Sequence, residues 1–204
     1  SKINISEREF ILLIMEIFLE EMLLKQFKLE LYKDYKKIFK IYERKPYSVL
    51  KHNVLNGIMK ILAIKEDEDT VVGFMLVTFS PKQEFIFLEY FAILPKYQSK
   101  GYGSKALQLL KEYYHDSEGI VLEVETVGYG KNQKENEIRK RRQNFYERNG
   151  YTGIKTKVKV FNKNYTIYFN NIANNKFTDK QILNTIKDIY VRALGERRGN
   201  KVFK

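Results

Sequence analysis

Residues 89–103 read Glu89-Tyr90-Phe91-Ala92-Ile93-Leu94-Pro95-Lys96-Tyr97-Gln98-Ser99-Lys100-Gly101-Tyr102-Gly103, and an amphipathic helical pattern follows directly. An apolar strand, a corner at Pro95, a glycine-bearing loop and a helix start therefore succeed one another without a linker. A strand that feeds a helix through so short a loop belongs to an α/β layer. Gly101 and Gly103 lack Cβ atoms, which permits unusual dihedrals and a close approach by a guest. Such a loop turns backbone N–H groups toward one point, and the helix start adds partial positive charge there. The matching guest is a phosphate or pyrophosphate, held by residues 98–103 and by Ser104 and Lys105 at the helix start. Lys96, Lys100 and Lys105 can add charge. A glycine turn that binds nothing is the competing reading of the loop alone.

The pattern elsewhere is consistent with one mixed domain. Ser6-Glu7-Arg8-Glu9 has capping-box spacing, which predicts an N-terminal helix over 7–24. Residues 25–31 read as a first strand, 32–44 as an amphipathic helix and 47–56 as a second helical piece ending at Gly57. Strands are expected over 58–65, 71–79 and 84–94, the last two forming a hairpin. A helix is expected over 103–115 with Ala106, Leu107, Leu110 and Tyr113 inward, then a strand over 120–127. A very basic helix covers 134–148, and Asn149-Gly150 ends it. A second hairpin joins 152–161 to 165–170. A closing helix spans 178–194, with Ile182, Ile186, Ile189 and Tyr190 inward, and a frayed basic tail covers 196–204. The domain reading is a helical extension over 1–24, the main domain over 25–195 and the tail.

Composition excludes several chemistries. The chain has no cysteine and two histidines, so disulfides, thiolate metal sites, cysteine nucleophiles and histidine-rich metal centres are not available to it. The apolar run 10–19 is short and interrupted by Glu16, a poor match to a membrane span or a signal peptide. A soluble, cytoplasmic protein without membrane partners is expected. Net charge is +12, and residues 131–163 hold eleven Lys/Arg against three Glu. A basic balance favours anionic partners, but solvated lysine-rich faces explain most of such a surplus.

The spacing Gln-x-x-Gly-x-Gly after Phe-Ala-Ile-Leu-Pro resembles the acetyl-CoA loop of the GNAT superfamily of acyl-CoA-dependent N-acetyltransferases. Ile120-Val121-Leu122-Glu123-Val124-Glu125 is similar to that superfamily's next strand. Asn144-Phe145-Tyr146-Glu147-Arg148-Asn149-Gly150-Tyr151 is similar to its aromatic block. Many members carry Arg where Gln98 stands, so this chain lacks one cation at the phosphate site. The resemblance implies a mixed, mostly antiparallel sheet of about seven strands flanked by helices, here with an extra N-terminal helix. It implies acetyl-CoA as cosubstrate; no metal is expected, from the lack of cysteine and the two histidines. It assigns the backbone of Phe91, Ala92 and Ile93 to the pantetheine arm, and residues Gln98, Ser99, Lys100, Gly101, Tyr102, Gly103, Ser104 and Lys105 to the phosphates. It also implies that neighbouring strands part beyond this point. Tyr146 matches the position whose phenol protonates the departing thiolate.

An amine nucleophile must shed a proton, and a carboxylate is the usual acceptor. Glu89 precedes the acyl site among apolar residues. Glu123 and Glu125 share a face of the neighbouring strand, with a salt bridge to the helix 134–148 as the competing reading. Tyr42, Arg44 and Tyr47, with His52, lie in the segment that lines the acceptor cleft in related folds. Arg139, Arg141, Arg142 and Arg148 are candidates for anion contacts or plain surface charges. The expected activity is acetyl transfer from acetyl-CoA to a primary amine, by direct attack in a ternary complex. A non-catalytic acyl-CoA sensor or a basic nucleic-acid-binding adaptor is the alternative, although nucleic acid is not the expected partner. The acceptor is a small-molecule or peptide amine, and the apolar 7–24 helix favours a homodimer.

Overall fold

A computed structural model describes residues 16–202 apart from Gln83. Seven strands run in the order β1-β2-β3-β4-β5-β7-β6. They are β1 (Phe18–Glu21), β2 (Met59–Lys65), β3 (Val71–Phe79), β4 (Phe85–Ile93), β5 (Gly119–Glu125), β6 (Thr152–Val160) and β7 (Lys163–Asn171). Among the described residues seven α-helices accompany them: α1 (Leu24–Glu30), α2 (Tyr32–Ile38), α3 (Tyr47–Leu55), α4 (Tyr102–Tyr113), α5 (Gln133–Arg148), α6 (Asp179–Leu194) and α7 (Glu196–Val202). This is the mixed, mostly antiparallel sheet expected. β4 and β5 pair in parallel through Phe85↔Gly119, Ile86↔Ile120 and Phe87↔Val121. β1 with β2, β5 with β7 and β6 with β7 are antiparallel.

The chain forms two compact units, Ser1–Leu76 with Tyr90–Tyr113, and Val77–Glu89 with Tyr114–Lys204. β3 and β4 contribute residues to both. In the first unit a core gathers Phe27, Leu31, Tyr35, Leu50, Phe74 and Tyr90. Phe27 meets Tyr35 and Phe74 edge-on, with centroids 6.0 and 5.9 Å apart. α4 turns Tyr102, Ala106, Leu107 and Leu110 inward, a helical repeat that the sequence shows, while Tyr113 is 41% exposed. In the second unit Phe85 and Phe87 pack with Val121, Ile167, Ile182, Ile186 and Ile189. α6 begins at a capping box in which Thr178 and Gln181 satisfy each other's free amides.

Besides Tyr113, expected inward and found exposed, four expectations require correction. The helix expected over 7–24 falls partly outside the described residues. Its described part is strand, since Phe18–Glu21 pairs with β2 and Glu20 and Glu21 reach Lys65 and Lys60. The segment 25–31, read as strand, is helix α1. Phe27 and Leu31, one helical turn apart, are buried, and Leu29 between them is 76% exposed. The helix expected over 32–44 stops at Ile38, because tyrosine hydroxyls take up the backbone that follows. The Lys45 amide donates to the Tyr35 oxygen at 2.8 Å, and Tyr90 donates to the Glu43 carbonyl at 2.7 Å. The tail is helix α7, with Gly199 set directly against the backbone of Val191.

The β6–β7 turn places Phe161 and Asn162 in the left-handed region, which matches the twist of a two-residue hairpin. β6 is the last strand in the order and carries exposed Lys155, Lys157 and Lys159 along it.

Within the first unit β3 and β4 approach closely at Gly73. A Cβ there would lie 2.4 Å from the Ala92 carbonyl oxygen, a backbone atom that cannot swing away. Gly73→Ala should therefore destabilise the protein by about 1–3 kcal/mol, as overpacking does. Urea unfolding of the two proteins side by side checks this.

Candidate active site

The first unit carries the glycine-bearing loop. β4 ends at Ile93, and Pro95–Tyr97 makes a single 3-10 turn. The Gln98 side-chain amide reaches back to the Ile93 carbonyl at 2.9 Å and closes the corner. Ser99 and Gly101 then take left-handed dihedrals, φ 63° and 92°. Gly101 tolerates this for want of a Cβ, and Ser99 holds it at some conformational cost. The Gly101 carbonyl accepts from Ser104 and Lys105 at 3.1 and 3.2 Å, which starts α4. Among the described residues the amides of Ser99, Lys100 and Gly101 have no backbone acceptor. The first amides of α4, on Tyr102 and Gly103, are likewise without a helical partner.

Charge around the loop is arranged by aromatic rings. The ammonium groups of Lys96 and Lys100 lie 4.6 and 5.9 Å from the Tyr97 ring centroid. Tyr97 in turn meets Tyr102 edge-on at 5.8 Å. Tyr102 is buried and donates its hydroxyl to Glu66 on the β2–β3 turn. That bond, with burial second, pushes the Tyr102 phenol up to about 12. A cradle of unpaired amides with cations held nearby fits a diphosphate. Phe91 and Ile93 are half-buried and Ala92 is buried.

The same unit holds Tyr42, Arg44 and Tyr47. Tyr42 is 51% exposed, beside the Lys40 ammonium. Arg44 donates to the Lys36 carbonyl at 2.8 Å and so braces its own loop. Tyr47 packs edge-on against Tyr32 at 5.3 Å, with Lys28 4.7 Å from its ring centre. Sequence reasoning missed Tyr35 and Tyr90, whose hydroxyls fix residues 43–45. Their partners are main-chain atoms, which leave no mark on residue type.

The second unit holds Tyr146 and the three glutamates. Tyr146 sits near the end of α5, its ring 5.8 Å from Tyr151 and 6.4 Å from Tyr168. Burial pushes its phenol up to about 12, against a smaller opposing pull from Arg142. It is therefore a neutral phenol throughout the physiological range. Glu89 accepts from the Thr78 hydroxyl at 2.8 Å. Glu123 accepts from the Tyr190 hydroxyl at 2.9 Å. Glu125 makes the salt bridge that the sequence offered as its competing reading. Its carboxylate is 3.2 Å from Arg139 and 3.9 Å from Arg142.

Arg139 is turned inward rather than out, 7% exposed, and donates to the Thr126 carbonyl at 2.9 Å. Removing one partner of a buried ion pair strands the other in a poor solvent for charge. Arg139→Met should cost about 3 kcal/mol for that reason, and the double variant Arg139→Met/Glu125→Leu should recover most of it. Thermal unfolding of the three proteins tests both statements.

Among the described residues no group of His, Cys, Asp and Glu could hold a metal ion, and no helix is long and apolar enough to cross a membrane. The sequence over 28–151 matches the model of the acetyltransferase (GNAT) family. No curated protein sequence matches the chain. A GNAT-family protein from Bacteroides thetaiotaomicron superposes with a TM-score of 0.69 at 21% identity, covering 87% of this chain and 98% of that one. The spermidine N-acetyltransferase of Vibrio cholerae, solved with CoA and spermine, superposes with a TM-score of 0.58 at 10% identity, covering 77% and 96%. A GNAT-family protein from Desulfovibrio desulfuricans gives 0.55 at 19%, covering 77% and 99%. The amide-lined loop after β4 and the matched stretch, well over half of the sequence, lead to one conclusion: the chain belongs to the GNAT acetyltransferase family.

Proposed function

We propose that this acetyltransferase moves the acetyl group of acetyl-CoA to a primary amine by direct attack in a ternary complex. The observation that carries the reading is the loop Ser99–Gly101, whose backbone amides lie unpaired beside the start of α4. Those amides, with the first amides of α4, hold the diphosphate of acetyl-CoA. Lys96, Lys100 and Lys105 add positive charge. The main chain of Phe91, Ala92 and Ile93 takes the amide-bearing pantetheine arm in the manner of an added strand.

The amine nitrogen forms a bond to the thioester carbonyl carbon while an amide near Ile93 stabilises the oxyanion. The carbon–sulfur bond then breaks and its electron pair leaves on sulfur. One proton leaves the amine for Glu89, and the phenolic proton of Tyr146 goes to sulfur. Solvent returns the proton from Glu89 to Tyr146. Glu89 is favoured over Glu125 because Glu125 is held by two arginines, and over Glu123 because Glu89 stands on β4 just before the acyl site. A phenol at about 12 is a weak acid toward a thiolate. Its main contribution is a hydrogen bond that strengthens as charge grows on sulfur. Support for an amine acceptor comes from the fold shared with the Vibrio cholerae enzyme crystallised with spermine.

Tyr146→Phe should leave the acetyl-CoA dissociation constant unchanged and slow thiol release by about a hundredfold. Undiminished release would remove Tyr146 from the mechanism. The wild-type profile should show no loss of rate from Tyr146 ionisation up to about pH 10, because a phenol held at about 12 keeps its proton there. A thiol-release screen across polyamines, amino acids, aminoglycosides and peptide N-termini identifies the acceptor. Failure to bind acetyl-CoA at all would overturn the reading.

A further inference from the structure

The three candidate carboxylates of the second unit are not equivalent, and one of them takes its partner from a helix outside the family-matched stretch. Tyr190 lies on α6, beyond residue 151 where the match ends. It is 6% exposed and stands against Phe87 of β4, with ring centroids 5.9 Å apart. Its hydroxyl crosses 67 residues of sequence to donate to Glu123 Oε2 at 2.9 Å. Phe87 and Val121 are register partners on β4 and β5. Glu89 and Glu123 each follow two residues later, so alternation puts both on the sheet face that α6 covers. Both carboxylates act on Tyr190 electrostatically, as does Tyr165 of β7. Thr78 of β3 holds Glu89 at 2.8 Å. Arg139 and Arg142 of α5 are directed at Glu125, the next acidic residue on that face of β5.

We propose that Tyr190 is a positioning residue: its hydroxyl orients Glu123 so that Glu123 and Glu89 together present fixed negative charge to the amine nitrogen. This rests on the reading of Glu89 as the proton acceptor. The nitrogen becomes positive as the new carbon–nitrogen bond forms, so a preorganised carboxylate beside it stabilises the transition state more than the ground state. Glu89 then takes the proton, and Glu123 keeps its hydrogen bond throughout. A hydroxyl donor suits this duty because a hydrogen bond favours the ionised carboxylate without neutralising it, as a salt bridge would. Burial, then the charges of Glu123 and Glu89, hold the Tyr190 phenol well above its ordinary range. It therefore remains a donor.

The arrangement also bears on the substrate class. An acceptor that arrives as a cationic alkylamine meets two carboxylates here, although the chain as a whole carries a charge of +12.

The test uses the 204-residue chain and four variants: Tyr190→Phe, Glu123→Gln, their double, and Glu89→Gln. Without any substrate, tyrosine 13Cζ resonances are followed with pH, and Tyr190 is assigned from its loss in Tyr190→Phe. Glu123→Gln and Glu89→Gln should each lower the pH at which Tyr190 ionises. Thiol release is then measured with spermidine and benzylamine as amine probes. Tyr190→Phe should lower kcat about tenfold and leave the KM for acetyl-CoA unchanged, within the usual worth of a hydrogen bond to a charged group. The double variant should be no slower than Glu123→Gln, because Tyr190 acts through Glu123. A Tyr190 resonance indifferent to Glu123→Gln, or losses that multiply in the double variant, would overturn the proposal. Full activity in Glu89→Gln would instead sink the proton-acceptor reading, and the resonance shift would still report the Tyr190–Glu123 contact.

Discussion

β4 is a strand that can offer neither face to water. Its even-numbered residues Tyr90 and Ala92 belong to the core of the first unit, and its odd-numbered residues Phe85 and Phe87 to the core of the second. Burial on both faces makes the sequence almost continuously apolar, which is how an interior parallel-paired strand reads. It also fixes register, since a slip of one residue would exchange the sheet faces that Phe87 and Glu89 occupy with those of their neighbours. With β4 fixed, the corner at Pro95 and the loop beyond it follow, because the strand delivers the chain to that point in a single orientation.

The loop and the glutamates illustrate two ways of building chemistry from a strand. At the loop the main chain is the candidate functional group, and side chains shape it. Gln98 closes the corner, Tyr102 is tied to Glu66, and Tyr97 gathers two lysines. At the glutamates the side chains are the candidate functional groups, and they differ through their partners. One is held by a hydroxyl of threonine, one by a hydroxyl of tyrosine and one by guanidinium. A single strand motif, Leu122-Glu123-Val124-Glu125, therefore yields one carboxylate bound to an uncharged donor and another bound to a cation.

The loop 98–103 was legible because glycines at a fixed spacing act locally, and α4 and α6 were legible because their apolar residues recur every three or four positions. The segment 25–31 was misread for a physical reason. Phe27, Leu29 and Leu31 alternate, but the same residues also contain an i, i+4 pair, and tertiary packing selected the pair. The end of α2 was invisible because hydroxyls of Tyr35 and Tyr90 capture main-chain atoms of 43–45. Tyr190 was read as an inward residue, and it is buried, but its hydrogen bond depends on which strand its helix crosses. That Glu125 and Glu123 would take different partners is a matter of three-dimensional register, which no local spacing encodes.

The lysines along β6 have a consequence for how the molecule behaves in a crowded solution. Among the described residues β6, as the last strand, has one side without a neighbour in the sheet order, and such a border invites a stranger's backbone to continue the ladder. Lys155, Lys157 and Lys159 confront an identical strand with the same sign of charge at every second step, and the register shift between Gly153 and Lys157 breaks the flatness that stacking needs. Fibril-like growth through this border is thus opposed by repulsion and by shape at once. Salt weakens the first guard and leaves the second untouched.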